Sequence, residues 1–235
     1  MRALDEAELL SLWESGQTRH PIDRALLLCA WARPDVAPER FAQLPLGVVN
    51  AGLLRMRAAL FGAHVEVQLD CEHCGEHLEL ALDIGELLAG ASAQDERADV
   101  ALQGFRFRVP HSRDLAALAH ETDAQAAALR LLERCCVARP DAPATLADVL
   151  SEAEEQLEAA DPLADLRLSV ACEACGQPTQ ASLDAGDLLW GDVQQHARGL
   201  LGQVHSLAQA YGWTEGEVFA LSPVRRAAYL DLVRD

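Results

Sequence analysis

Lysine is absent from this 235-residue chain: all 19 basic side chains are arginine, against 37 acidic ones, for a formal net charge of −18. The missing lysine, with abundant alanine, reads as genome composition. The acidity excludes more. A nucleic-acid binder needs a basic face to displace counterions from phosphates, and no basic cluster occurs, so neither DNA nor RNA is an expected partner. Long apolar runs are missing too. The longest, Ala25 to Ala32, falls well short of the roughly 20 residues that cross a bilayer. The first residues, Met1-Arg2-Ala3-Leu4-Asp5-Glu6, lack the basic and apolar regions of a signal peptide. There is no Ser-His-Asp signature, no phosphate-cradling glycine loop and no His-Glu-x-x-His. Adjacent acids such as Glu154-Glu155 cannot face one another on a helix. The expectation is a protein that is not an enzyme, with no small-molecule substrate and no membrane contact.

Cysteine is present, and patterned. Cys71-Glu72-His73-Cys74-Gly75 recurs 101 residues later as Cys172-Glu173-Ala174-Cys175-Gly176. Each copy is entered by an alternating apolar run (Val65, Val67, Leu69; Leu166, Leu168, Val170). Each is left through a short run that closes on Leu82-Asp83-Ile84-Gly85-Glu86-Leu87-Leu88 or Leu183-Asp184-Ala185-Gly186-Asp187-Leu188-Leu189. The repeated unit is strand, Cys-x-x-Cys-Gly turn, strand. One turn offers two thiolates and zinc takes four ligands in a tetrahedron, so two hairpins face to face complete a site. One structural Zn2+ per chain is expected on Cys71, Cys74, Cys172 and Cys175. A redox dithiol is the competing reading. That chemistry, however, opens a helix after a strand, whereas here Gly75 and Gly176 suit a left-handed turn and strand residues follow. His73 and His77 are matched by Ala174 and Pro178 in the second copy, so symmetry argues for four sulfurs and two solvated histidines. Cys29, Cys135 and Cys136 lie in helical apolar patterns and read as core. An odd cysteine count with zinc-like spacing fits a reducing compartment, here a cytoplasm.

A chain of this length can bury a core of its own, so the metal need not carry the whole fold. The expected class is α+β: a mostly helical chain around a split zinc ribbon. Residues 1–62 read as a helical region broken by prolines 34, 38 and 45. Residues 63–110 hold the first hairpin plus a strand over Gly104–Val109 added to its sheet, after a loop at 90–100. Residues 111–163 are a helical insertion: one helix capped by Ser112 and running to about Val137, then an acidic helix over Leu146–Ala160 whose Glu152, Glu154, Glu155 and Glu158 form a solvated face. Residues 164–186 hold the second hairpin, and 187–235 a helical module. In that module Leu189, Val193, Ala197, Leu200, Val204, Leu207 and Tyr211 point inward and Gly212 terminates the helix. Thr214 to Glu217 forms a capping box with Trp213 and Val218 as its staple, and Ser222-Pro223 starts the last helix.

Tyr211 to Val218, followed by Leu221-Ser222-Pro223-Val224-Arg225-Arg226-Ala227-Ala228-Tyr229-Leu230, resembles the C-terminal signature of a phage-tail family. These are the T-even-type baseplate hub assembly chaperones of myophages and phage-derived contractile injection systems. Leu9 to Glu14, Pro21 to Leu26, the two cysteine turns, Arg113-Asp114-Leu115 and Leu132 to Cys135 are similar to the same family, so the resemblance spans nearly the whole chain. It departs at Glu72, where the family often has proline. The resemblance implies a non-enzymatic assembly factor whose partners are the baseplate hub or other tail proteins, in the cytoplasm of a bacterial or phage-infected cell. A permanent baseplate component and a zinc-ribbon adaptor of a regulatory complex are the alternatives.

A partner surface is expected around Trp213, Phe219, Arg225, Arg226 and Tyr229. Arginine in the first turn of a helix is disfavoured by the helix dipole, and aromatics with arginine dominate binding hot spots. The alternative is that the arginines pair locally with Glu215, Glu217 or Asp231.

Overall fold

The computed structural model describes residues 5–89, 98–141 and 144–234. In chain order the elements are α1 (Glu6–Gly16), α2 (Pro21–Ala32), α3 (Pro38–Phe41), α4 (Leu46–Phe61), β1 (His64–Asp70), β2 (His77–Asp83), α5 (Ile84–Ala89), β3 (Asp99–Leu102), β4 (Phe105–Arg108), α6 (Ser112–Leu118), α7 (Ala124–Cys135), β5 (Cys136–Ala138), α8 (Leu146–Ala160), β6 (Leu166–Ala171), β7 (Pro178–Leu183), α9 (Ala185–Tyr211), α10 (Glu215–Phe219) and α11 (Pro223–Arg234). The mixed helix and sheet class expected from the sequence is observed. No helix among the described residues is long and apolar enough to cross a membrane.

The chain divides into two compact units: His20–Leu189, and a second made of α1 with α9 beyond Leu189, α10 and α11. The first helix therefore belongs to one unit with the C-terminal helices, which divides the expected 1–62 region between the two units. In this second unit Leu9, Leu10, Ala197 and Leu200 form a core, with Trp13, Leu201 and Phe219 packed against it. Gly16 allows the close approach, since a Cβ there would lie 2.3 Å from the Trp190 ring. Of the seven residues expected inward on α9, Tyr211 is 40% exposed.

In the first unit, α4 crosses from the helical entry to the first hairpin. Its N-terminus begins at Pro45 without a local side-chain cap. Asp161, at the end of α8, supplies one by accepting the Gly47 N–H at 2.9 Å. Burial pushes the Asp161 carboxyl up, although that amide bond opposes the shift. At the other end, buried Arg57 donates to the carbonyls of Gly62 and His64, both at 2.6 Å, which ties the last turn of α4 to β1. The Gly62 carbonyl, at the C-cap of α4, is an orphan of the helix end satisfied here by a cation that also suits the dipole.

Two expectations fail between the hairpins. The Phe105–Arg108 strand does not extend the hairpin sheet. It lies in a separate three-stranded sheet of order β3-β4-β5, and Phe105 and Phe107 pack with Leu102, Leu132, Val149 and Ala153 in a core of their own. Asp99 and Val100, the end of the loop expected over 90–100, instead open β3; positions 90–97 of that loop lie outside the described residues. The predicted helix from Ser112 to Val137 is broken into α6 and α7. Asp123 accepts the Ala126 N–H at 2.7 Å, so its side chain starts a new helix instead of continuing the old one. Residue 111 caps α6, and Cys136–Ala138 leave the helix to pair with β4. The acidic helix spans Leu146–Ala160 as expected, with Glu152, Glu154, Glu155 and Glu158 exposed.

Candidate metal centre

Both hairpins are antiparallel and seven or six residues deep, with Asp70 opposite His77 in one and Ala171 opposite Pro178 in the other. Their turns are built alike. Cys71 N–H donates to the Glu76 carbonyl at 2.8 Å, and Gly75 N–H to the Cys71 carbonyl at 2.9 Å; Cys172 to Gln177 and Gly176 to Cys172 repeat this at 2.9 and 2.8 Å. Gly75 and Gly176 take φ of +74° and +71°, the left-handed conformation that glycine adopts without a Cβ clash. The shared phrase after each hairpin starts a helix: Asp83 accepts the Gly85 N–H at 2.7 Å and Asp184 the Asp187 N–H at 2.8 Å. The repeat therefore holds strand, turn, strand and helix start in the same order twice.

This repetition brings the four sulfurs together. Cys71, Cys74, Cys172 and Cys175 place their Sγ atoms all within 4.8 Å of one another, and they form a group that could hold a metal ion. The contacts cross between hairpins: Cys71 to Cys175 and Cys74 to Cys172 are both 3.7 Å. All four cysteines are free. Cys71 and Cys172 are buried while Cys74 and Cys175 are exposed, so the cluster has an inner and an outer edge. Beneath it lies a small apolar contact of Cys71, Leu78 and Cys172 with Leu69 and Val170 against it. His73 and His77 stay outside the group. His77 is exposed and bonded to Asp70.

The thiols differ in acidity. The Thr179 hydroxyl donates to Cys71 Sγ at 3.2 Å; that bond is the main cause holding Cys71 down to about 6, against burial and helped by the N–H groups of His73 and Cys74. Cys74 has the Glu76 N–H favouring its thiolate, but burial of the sulfur and its three sulfur neighbours push it up to about 12. Cys175 is likewise raised: the Gln177 N–H is outweighed by burial and by Cys172 and Cys71. Four sulfurs at this spacing could hold a metal ion, whose positive charge would favour the thiolate at each of them. Thr179 was not singled out by the sequence. Its signal is a break in the repeat, since Leu78 occupies the matching place in the first hairpin.

Cys29 and Cys135 are buried and Cys136 half-buried, away from the cluster. Burial pushes Cys29 up to about 12 and Cys135 up to about 11, as suits core thiols.

The residues expected on a partner surface separate into two groups. Trp213, Tyr229 and Tyr211 form an aromatic cluster, with Trp213 stacked on Tyr211 at 4.7 Å and set edge-on to Tyr229 at 4.9 Å. Arg225 is exposed. Arg226 is not: its side chain is 4% exposed and pairs with Glu6 of α1, one bond measuring 2.7 Å. Its guanidinium also lies 5.7 Å from the centre of the Phe219 ring, and Phe219 itself packs in the core. The partner of Arg226 is thus a carboxylate 220 residues away and none of the three nearby acids. Arg226→Ala is expected to cost about 2 kcal/mol, because it strips a half-buried carboxylate of its cation, whereas Arg225→Ala should stay within about 0.5 kcal/mol. Thermal unfolding of the two variants checks this; equal melting temperatures would rule out the internal role of Arg226.

Comparison of the chain with family models, with curated proteins and with solved structures gives no match.

Proposed function

We propose that the four-cysteine group is a structural zinc site and that the paired hairpins form a split zinc ribbon. The carrying observation is the cross-hairpin sulfur spacing of 3.7 Å. Four sulfurs each 2.3 Å from a central zinc lie about 3.8 Å apart at the corners of a tetrahedron. A set of four sulfur donors suits zinc over calcium or magnesium, which take oxygen. It also leaves no open coordination position for a substrate or an activated water, which supports binding over catalysis.

On this reading the protein is a non-enzymatic assembly factor for the baseplate hub of a contractile tail or contractile injection system. The support is the resemblance carried by the N-terminal phrase, the two cysteine turns and the run from Tyr211 to Leu230. The aromatic cluster of Tyr211, Trp213 and Tyr229 supplies the side-chain types that anchor protein interfaces. Disrupting the gene in a producing strain should yield few or no particles with complete baseplates, while purified wild-type particles contain no copy of the chain. Normal baseplates in the disrupted strain would overturn the function. Stoichiometric chain in wild-type particles would replace an assembly factor with a permanent component.

A further inference from the structure

The last helix carries apolar side chains on two sides. Inward lie buried Arg226 and half-buried Tyr229 and Leu230. Outward lie Val224 and Leu232, 80% and 65% exposed, the most exposed large apolar side chains among the described residues. Exposed Ala228 sits midway between them. Residues four apart stand one above another on a helix, so Val224, Ala228 and Leu232 form one apolar stripe along the solvent side of α11. A soluble helix normally keeps that side polar.

The stripe is symmetric about Ala228. Val224 and Leu232 lie four residues on either side of it. Arg225 and Asp231, both exposed, lie three residues on either side. We propose that this face binds a second copy of the same chain, with the two α11 helices antiparallel about a two-fold axis at Ala228. In that arrangement Val224 of one copy meets Leu232 of the other, and Arg225 of one meets Asp231 of the other. The small Ala228 sits where the axes cross, which allows a close approach. A two-fold interface must be self-complementary in this way, and the palindrome of apolar, cationic, small, anionic and apolar positions meets that condition. Parallel pairing would leave Arg225 and the other copy's Asp231 on the same side but about 9 Å apart along the helix axis, so neither ion pair would form. The occupant is a second copy and not a basic partner because the face balances its own charge within the stripe, whatever the total of the chain.

The interface is one helix wide and the two copies each carry −18. Both features make the dimer weak, with a dissociation constant on the order of 10 to 100 μM, and added salt strengthens it by screening the general repulsion. The inference does not rest on the baseplate reading.

Sedimentation equilibrium of the metal-loaded full chain tests it. A reversible monomer–dimer equilibrium is expected. Leu232→Glu should abolish the dimer with no loss of thermal stability, since the side chain is exposed. Arg225→Asp changes two symmetric contacts at once and should weaken the dimer roughly tenfold. The double variant Arg225→Asp with Asp231→Arg should restore it, because the exchanged charges still meet across the axis. A chain that stays monomeric at hundreds of μM (about ten times the expected constant) overturns the proposal. So does a dimer indifferent to Leu232→Glu, or a double variant no better than Arg225→Asp alone; that last outcome assigns Arg225 to a different partner.

Discussion

Serine at any one of Cys71, Cys74, Cys172 or Cys175 should abolish stoichiometric metal binding and loosen both hairpins. The size of the effect follows from how little else joins them. The apolar contact beneath the sulfurs is Cys71, Leu78 and Cys172 with two half-buried neighbours, and each sheet has only two strands. An isolated two-stranded hairpin is marginal in water, whereas structural zinc sites in small domains contribute on the order of 10 kcal/mol. Loss of the metal should therefore strip amide protection from residues 64–83 and 166–183 while the core around Phe105, Phe107 and Val149 keeps its protection. The inner and outer sulfurs should differ. Cys71→Ser and Cys172→Ser remove buried ligands that water cannot replace, and Cys71→Ser also leaves Thr179 without its acceptor. Cys74→Ser and Cys175→Ser open a corner already exposed and should retain weak binding. Metal analysis of the purified variants, with hydrogen exchange, checks both statements. A single variant that keeps one tightly held equivalent would sink the shared four-sulfur site, and wild-type protein carrying two metals would do the same.

Asp114→Asn should be the most damaging change outside the hairpins. The Asp114 side chain is 1% exposed and holds three groups. Arg108 donates to its two oxygens at 2.6 and 3.0 Å, Arg134 Nε donates at 3.0 Å, and the His111 N–H at the start of α6 donates at 3.0 Å. One carboxylate thereby ties β4, α6 and α7 together. The amide is isosteric but neutral, so two guanidinium groups, 25% and 41% exposed, lose a buried counter-charge. Breaking such a network costs about 2–3 kcal/mol once solvent screening of the part-exposed arginines is allowed for, and the melting temperature should fall accordingly. Burial alone would raise the Asp114 carboxyl. The Arg108 hydrogen bonds, the His111 N–H and the arginine charge outweigh it, so the group titrates below the ordinary carboxylate value. A carboxyl lowered in the folded state stabilises fully above its unfolded value, near about 4, and that contribution fades as pH falls through the folded value. The wild type should lose stability more steeply than the variant as pH is lowered below about 4, and the two curves should converge. Parallel curves, or a variant as stable as the wild type at neutral pH, would show that Asp114 does not organise this network.

Local signals were enough for several parts of the chain. The capping box from Thr214 to Glu217, the positive-φ Gly212 and the acidic helix over Leu146–Ala160 each depend on neighbours within a few positions. Non-local choices escaped. The two-residue turn at Gln103-Gly104, with φ of +48° and +84°, makes β3 and β4 a hairpin. Turns of that geometry favour Asn or Asp before the glycine, so Gln103 hides the signal that pairs β4 with β3 and not with the first hairpin. The helix break before Ala124 was legible in Asp123 as a cap, but the apolar spacing on both sides outweighed it.

The 101-residue repeat with its glycines made the four cysteines identifiable as one group, because matched turns with matched spacing require no knowledge of the rest of the chain. Their actual convergence, the Thr179 bond and the division into an inner and an outer pair of sulfurs arise only when two hairpins a hundred residues apart meet. Arg226 shows the same limit more sharply. Its helix position and its nearest acids are written locally and pointed outward to a partner. Which way it faces was decided by Glu6, because a carboxylate 220 residues away in sequence costs nothing to reach once α1 and α11 pack in one unit, and no periodicity along the chain encodes that meeting.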